Sequence, residues 1–335
     1  MSDNRKLLLD MGERLFADLR EQREVEDVWP VLREAGLQHL FRPESADGFG
    51  GDWGDGVALL HLSGLYPVNA PLAEILAATW LEETAGFARS DEIAVLAGSA
   101  HGKLDGGRFT GEVMAVPVAE GVSRVIAAAD GSLVRLDLAA AAKTAEGRNL
   151  AGDKHLRLTF ESVPAEAKAT GEDAIAWGAL ARTAQIAGAL DGVLKLSIDY
   201  ANERQQFGRP IAKFQSVQQS LALLAEEAAA ANCVAQAAAQ AADHGDATLE
   251  CACAKLRAGK AAAIGVEIGH QVHGAIGFTK EHALHDYTRR LAAWRSEFGN
   301  ERYWGARIGK WAAERGGEAL WSGLAERSDR IGKAS

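Results

Sequence analysis

The stretch YANERQQFGRPIAKFQSVQQSLA, residues 200–222, separates two helical patterns and decides how the second half of the chain is organised. Helix-forming residues lead into a Phe-Gly-Arg-Pro break at 207–210, and a second helical pattern follows. Helix capping explains the glycine and the proline, because both residues commonly end helices. Capping does not explain why Arg204, Gln206 and Phe207 crowd the same corner. A guanidinium, an amide and an aromatic ring there could instead hold a planar, phosphate-bearing ligand.

Long alanine-rich helical patterns lie on both sides of this corner. They predict helices over about residues 173–203, 216–243 and 247–273, with the sequence DHGDA turning the chain between the last two. Helices of this length usually pack side by side as a bundle. Alanine-rich faces favour such a bundle, because they let the helix axes approach closely.

The residue pattern changes from helical to β-type and back to helical before the bundle begins. The first hundred residues show short helical patterns and the Gly-rich loop FRPESADGFGGDWGDG, whereas the next seventy show short β-type runs with a hairpin signal at Asp130-Gly131. This order predicts an α+β protein that is mainly α. We expect an N-terminal helical domain at 1–100, a small β-domain of five or six strands at 101–168, and a helical bundle at 169–335.

The composition excludes several classes of function. The 335 residues carry a formal net charge of −10, which argues against nucleic-acid binding. No apolar run approaches the roughly 18 residues of a membrane span, and the N-terminus has no apolar signal core. The three cysteines are an odd, sparse set typical of a reducing compartment, so we expect a cytoplasmic protein.

A second cluster of candidate residues is GHQVHGAIGFT at 269–279. Its histidines invite a metal interpretation, but the spacing is not HExxH and no cysteine or nearby carboxylate completes a set, so no metal is expected. Gly274 and Gly277 follow a long helix, which suits a turn whose backbone N–H groups face an anion or lie close to another backbone. No strand precedes the turn, so it is not a dinucleotide-binding glycine loop.

These segments together resemble the acyl-CoA dehydrogenase family of flavoproteins. RQQFGRPIAKFQ is similar to the family's R-x-QFG-x-PI…FQ signature, QVHGAIGFTKE is similar to its Q-hGG-GFT-E segment, and LREAGLQHLFRPESADGFGG is similar to its N-terminal L-E-GL…PE-GGxG stretch. The resemblance covers nearly the whole chain. It implies the same order of helical domain, β-domain and four-helix bundle.

The resemblance also implies a cofactor, FAD. In the family the bundle mediates dimerisation, and the corner and the turn reach across to the adenine and pyrophosphate of the neighbouring subunit's FAD. His273 or Ala275 would add a contact, although Ala275 stands where a second glycine is usual. The cofactor contacts carried over by motif are Arg204, Gln206, Phe207, Gln271 and Gly274.

Two departures from the family pattern bear on catalysis. The loop TEP-x-AGSD and the strand W-I-T/S-N, which hold the flavin ring in the family, are missing between Leu81 and Phe160. The catalytic glutamate is missing as well, because Phe298 takes its usual place and Gly178 takes its alternative place. Glu297 is adjacent to the first of these places, but one residue along a helix rotates a side chain by about 100°. No catalytic residue is therefore assigned, and Glu297 is only a weak candidate.

The resemblance and its departures lead to a first hypothesis and two alternatives. The first hypothesis is a non-catalytic subunit of an α2β2 acyl-CoA dehydrogenase for a bulky acyl-CoA, in which the partner subunit supplies the glutamate. Steroid side-chain CoA thioesters would be such substrates, and an electron-transferring flavoprotein would be the acceptor. One alternative is a homomeric dehydrogenase that uses Glu297, Asp286 or a substrate-assisted base. The other is a flavin-free scaffold or binding protein.

Overall fold

The computed structural model describes residues 3–21 and 28–334. These residues group into two compact units. One unit holds the described residues up to Gly56 and the segment Val68–Ala181, and the other holds Val57–Pro67 and the described residues from Arg182 onward. The predicted α+β fold with a helical majority is confirmed. The three domain limits drawn from the sequence stay a prediction.

Four helices precede the β-structure in the described chain: α1 Asp3–Glu21, α2 Trp29–Glu34, α3 Trp53–Leu65 and α4 Leu72–Ala85. Helix α4 ends at Ala85, because Gly86 takes the left-handed conformation (φ 68°) and its N–H bonds back to the last turn. In the first unit, Phe41, Trp53, Trp80 and Trp177 pack their rings together, with Trp53 and Trp177 stacked at 5.3 Å.

The β-structure of the first unit forms two four-stranded sheets rather than one small set of five or six strands. The first sheet has the order β1-β4-β5-β8 and the second has the order β2-β3-β7-β6. In chain order the strands are β1 Ile93–Leu96, β2 Ser99–Asp105, β3 Arg108–Pro117, β4 Val122–Ala129, β5 Ser132–Asp137, β6 Lys143–Arg148, β7 Lys154–Pro164 and β8 Glu166–Ala169. Strand β1 begins before residue 101, so β-structure starts earlier in the chain than the sequence predicted.

The hairpin expected at Asp130-Gly131 is confirmed. Strands β4 and β5 pair antiparallel on either side of these two residues, and both residues have positive φ (48° and 72°). That pair of angles is the turn that best fits the natural twist of a two-residue hairpin. On β7 the period-two pattern buries Leu158 and Phe160, whose ring packs edge-on against Phe109.

The second unit is a helical bundle whose long helices match the predicted ranges to within one residue at each end. Its helices are α5 Ala174–Glu203, α6 Gln215–Asp243, α7 Thr248–His273, α8 Leu284–Ser296 and α9 Glu301–Ala334, and α5 begins in the first unit. Small residues bring the helices close. A side chain at Gly265 of α7 would meet Leu190 of α5 at 2.3 Å. No helix in the part of the chain that the structure describes is long and apolar enough to cross a membrane.

Candidate functional site

The corner after α5 is a tight hairpin rather than a capped helix end. The two-residue strands β9 (Gln205–Gln206) and β10 (Arg209–Pro210) pair across a turn made by Phe207 and Gly208. Both turn residues have positive φ (52° and 75°), which is the favoured geometry for a two-residue hairpin. The interpretation of Gly208 as a helix cap is therefore corrected. Glycine is needed there because the turn requires a left-handed residue.

This hairpin presents its side chains to solvent. Phe207 is 92% exposed, and its ring lies roughly perpendicular to that of Phe214, with the centroids 6.1 Å apart. Arg204 and Gln206 are exposed as well. A bulky residue rarely adopts positive φ, and a ring held outward in this way indicates a contact surface for a ligand or partner.

The turn after α7 is built from glycine backbone. Helix α7 ends at His273, and Gly274 has φ 61° and ψ −140°, a conformation that side chains strongly disfavour. A 3-10 turn over Gly274–Phe278 follows. Gln271 and Gly274 are exposed, and Phe278 is 73% exposed.

The structure brings the corner and the turn to the same end of the bundle. Tyr200, one helical turn before Arg204, stacks its ring on His273 at 4.6 Å. The backbone N–H of Arg204 donates to the Tyr200 carbonyl at 2.8 Å. The hairpin therefore begins one helical turn after the residue that contacts His273. All five predicted cofactor-binding residues therefore lie on two neighbouring segments of one surface.

Two histidines of this region bond to backbone carbonyls. His273 is buried and its Nδ1–H donates to the Gly269 carbonyl at 2.8 Å, while His285 bonds through Nδ1 to the His282 carbonyl. Burial lowers the pKa of His270, and burial and neighbouring histidines lower the pKa of His273. Both shifts disfavour the charged form of the imidazole rings.

The turn between α8 and α9 occupies the place where the family's base is expected. Phe298 stands at positive φ (53°) and is only 5% exposed, so its ring fills the interior of the bundle. Glu297 beside it is bound by Arg182, whose Nε and Nη2 donate to the same carboxylate oxygen at 2.8 and 2.7 Å. Arg182 is buried, so this pair is part of the bundle's packing. The contacts give Glu297 a packing role, and Phe298 in the usual place of the base carries no titratable group. Asp286, the other carboxylate considered, lies 3.1 Å from His285 Nε2.

Lys255 of α7 holds the other side of this turn. Its Nζ is buried and donates to the carbonyl oxygens of Arg295 and Gly299, each at 2.9 Å. Burial lowers the pKa of Lys255 to about 7. Sequence reasoning missed both Lys255 and Arg182. The only available signal was a single cation on the otherwise apolar, alanine-rich face of a long helix.

The lowered pKa of Lys255 gives a prediction about stability. Between pH 7 and 9 the unfolded chain holds this proton while the folded chain releases it, so the free energy of unfolding rises with pH. The contribution of this site is at most about 1.4 kcal/mol per pH unit. Urea unfolding at pH 7, 8 and 9 should show this rise in the wild-type chain and a flatter profile in Lys255→Met. Equal slopes in the two proteins would contradict the prediction.

Comparison with known proteins identifies the family. The family model described as Acyl-CoA dehydrogenase, C-terminal domain, matches residues 169–312. A curated relative, Acyl-CoA dehydrogenase IpdE2 of Mycobacterium tuberculosis (strain ATCC 25618 / H37Rv), is 31% identical over 271 residues, which cover 79% of this chain and 80% of the relative. The chain belongs to the acyl-CoA dehydrogenase family. The resemblance drawn from the motifs is confirmed.

Solved structures share this acyl-CoA dehydrogenase fold along almost the whole chain. A Tcur3481-Tcur3483 steroid ACAD variant is 25% identical with a TM-score of 0.86, covering 92% of this chain and 98% of its own. The ChsE4-ChsE5 complex from Mycobacterium tuberculosis is 22% identical with a TM-score of 0.81, covering 95% and 99%. As an acyl-CoA dehydrogenase, the protein is an oxidoreductase acting on the CH–CH bond of an acyl-CoA, and its cofactor is FAD.

Proposed function

We propose that this chain is one subunit of a heteromeric FAD-dependent acyl-CoA dehydrogenase whose catalytic glutamate lies on a second, homologous subunit. The observation that carries the proposal is the α8–α9 turn. A buried phenylalanine takes the place of the base, and the adjacent Glu297 is bound by Arg182. A base must reach the proton that it removes, and a carboxylate held in a buried ion pair is poorly suited to that task.

The residues at the bundle end fit the nucleotide half of FAD. Arg204 supplies a guanidinium for phosphate, Gln206 and Gln271 supply amides, and the exposed Phe207 ring offers a face for the adenine. The unhindered backbone at Gly274 can approach the pyrophosphate, since a side chain there would be strained. FAD, when bound, supplies the hydride acceptor for oxidation of the acyl chain.

The residues of this chain do not fit the flavin ring in the family's usual way. Only six residues, 87–92, connect the Gly86 cap of α4 to β1, and the family's TEP-x-AGSD loop has no counterpart in the sequence. Under this proposal the partner subunit holds the ring, and this chain contributes the corner and the turn to a shared FAD. Its own residues then bind and orient the nucleotide, while the partner removes the proton.

The proposed substrate class is inferred from the descriptions of similar solved structures. The Tcur3481-Tcur3483 protein is described as a steroid ACAD, and the ChsE4-ChsE5 structure is described as a complex. These descriptions support a two-protein assembly acting on a bulky acyl-CoA such as a steroid side-chain thioester. The α2β2 stoichiometry and an electron-transferring flavoprotein as acceptor come from the family resemblance. Fold likeness alone does not fix a substrate, so substrate and acceptor are parts of the proposal.

Co-expression tests the proposal. The chain would be produced alone and together with a homologous acyl-CoA dehydrogenase subunit encoded beside it. We expect the chain alone to purify with little flavin, and the pair to purify as a yellow complex with about one FAD per heterodimer that reduces a dye when given acyl-CoA. A lone chain that carries one FAD per subunit and is active would refute the proposal. A colourless complex would favour the flavin-free scaffold.

A further inference from the structure

Three aromatic rings meet where the hairpin corner and the turn after α7 lie side by side. The His273 ring stacks on the Tyr200 ring, with the centroids 4.6 Å and the planes 24° apart. The His282 ring packs edge-on against both, at 4.6 Å from His273 and 6.0 Å from Tyr200. These three residues form what we call the three-ring cluster. They come from the end of α5, the end of α7 and the segment before α8, so the cluster joins three segments of the second unit.

The turn after α7 packs directly on this cluster. A Cβ atom at Gly277 would come within 3.0 Å of the Cβ atom of His273, so the backbone of the turn lies against the His273 side chain. The Phe278 ring folds back over α7 and stacks on His270 at 4.2 Å. The hairpin corner begins one helical turn after Tyr200. Because the turn and the corner both rest on His273, its ring sets the distance between them.

The surroundings of His273 favour a neutral ring. Its Nδ1–H donates to the Gly269 carbonyl at 2.8 Å, so Nε2 carries the lone pair of the neutral imidazole. Nε2 is buried and has no hydrogen-bond partner in the part of the chain that the structure describes, and the residue is 3% exposed. A proton on Nε2 would place a charge at a site that water does not reach, and burying a charge costs free energy.

The groups that face this ring compensate a charge poorly. Burial lowers the pKa of His273 most, and the imidazoles of His282 and His270 lower it further. The carbonyls of Gly269 and Leu196 act in the opposite direction, but the pKa still lies below its usual value. The neighbouring side chains with a charge to gain are histidines themselves, so acidification adds like-charge repulsion to the cost of burial.

We propose that His273 is a positioning residue, which in its neutral form holds the turn after α7 against the hairpin corner and which releases the turn when it is protonated. Its side chain is buried, so it acts through the two segments rather than by touching a ligand. The consequence for the cofactor rests on the proposed function, because Arg204 and Gln271 on these segments are the proposed FAD contacts. FAD would then bind to the closed cluster and be lost when the cluster opens.

The direction of the pH effect follows from the burial of the ring. A histidine in an opened, solvated cluster titrates near its ordinary pKa of about 6.5, whereas the closed cluster keeps His273 neutral to lower pH. Between these two values the open form binds more protons, so a fall in pH favours opening. The stabilisation of the closed form is complete above about pH 6.5 and is lost as the pH falls through the pKa of the closed cluster. One linked proton limits the effect to about tenfold per pH unit.

Hydrogen–deuterium exchange of the purified flavin-free chain tests the closed state without cofactor or partner. After correction for intrinsic rates, the amides of residues 274–279 should exchange about threefold to tenfold faster at about pH 5.5 than at about pH 7.5. His273→Phe keeps a ring in the stack but does not titrate, so its corrected rates should be equal at the two pH values. The matched control is His244→Gln, which removes an exposed histidine at the end of α6 and should respond like the wild-type chain. Equal wild-type rates at the two pH values would overturn the proposal.

A second variant separates packing from protonation. His273→Asn keeps an amide that can donate to the Gly269 carbonyl, but it removes both the ring and the titration. Its corrected exchange rates should be equal at the two pH values and above those of the wild-type chain at pH 7.5. Far-ultraviolet circular dichroism would verify that both variants keep their helices. A purely structural role for His273 would raise exchange in His273→Asn and leave the pH response of His273→Phe like that of the wild-type chain, which would also overturn the proposal.

FAD titration of the flavin-stripped co-expressed pair measures the consequence for the cofactor. Between about pH 7.5 and 5.5 the wild-type affinity should fall by up to about tenfold more than that of His273→Phe, since groups of the partner titrate in both. His273→Asn should bind FAD about threefold to tenfold more weakly at pH 7.5, as expected for the loss of aromatic contacts. Parallel profiles for the wild type and His273→Phe, or a wild-type affinity that rises with acid, would overturn the positioning role. A pair that binds no FAD while the exchange pattern holds would count against the heteromeric enzyme instead.

Discussion

Replacing Arg204 or Gln271 with alanine is expected to lower the FAD affinity of the heteromeric complex by roughly tenfold for each change. Arg204 would contribute a charge-assisted hydrogen bond to phosphate, and such bonds contribute about 1.5–3 kcal/mol. The two residues lie on separate segments joined through the Tyr200–His273 contact. In the double variant the loss should exceed that of either single change, and the complex should purify nearly colourless.

The measurement is the ratio of the visible flavin absorbance to protein, followed by FAD titration of the flavin-stripped complex. Lys195→Ala on α5 is the matched control, because this lysine is exposed and lies two helical turns before the corner. The control should keep wild-type flavin content. Both site residues are exposed, so thermal stability should stay unchanged. Wild-type flavin content in Arg204→Ala and Gln271→Ala would remove the cross-subunit role.

Replacing Arg182 with methionine is expected to destabilise the chain by about 3 kcal/mol, because the largely buried Glu297 carboxylate would lose the guanidinium that pairs with it. Arg182 also donates to Gln185, whose Nε2 reaches Ser63 at 3.0 Å, so the change disturbs a connected set of buried polar groups. Urea unfolding of the purified chain measures the loss. A change below about 1 kcal/mol would show that the pair behaves like an exposed one.

Two further variants serve as controls for the stability measurement. Arg295→Met breaks the neighbouring pair with Glu301, in which the arginine side chain is 44% exposed, and should cost no more than about 1 kcal/mol. The double variant Arg182→Met/Glu297→Gln removes both charges and should recover much of the lost stability. Glu297→Gln in the co-expressed complex should leave turnover unchanged. A collapse of turnover with normal stability would instead make Glu297 a base and favour the self-sufficient enzyme.

Much of the fold follows from local sequence pattern. The long helices of the bundle were predicted to within one residue because their signals are local: alanine-rich periodicity, a Gly-Pro break and a polar turn. The hairpin at Asp130-Gly131 was predicted for the same reason. The two-sheet arrangement was not, because β1 pairs in parallel with β4, and pairing between distant strands has no local signal. Strands as short as β1 and β8 also have too few residues to show a period.

The candidate site also has features that the sequence predicted and features that it did not. The residues of the corner and the turn could be predicted from the sequence, because a family motif is recognised from consecutive residues alone. The sequence misassigned the role of Gly208, because a helix cap and a two-residue hairpin both call for a left-handed glycine.

The sequence by itself determined that this chain is a mainly helical acyl-CoA dehydrogenase with a phenylalanine where the base is usual, because residue identity and periodicity are local properties. Only the tertiary structure decided what Glu297, Arg182 and Lys255 do. Whether a carboxylate or an amine is available for chemistry depends on its burial and its hydrogen-bond partners, and here those partners come from residues 40 or more positions away. Distant partners and desolvation are set by packing, and the sequence alone does not show them.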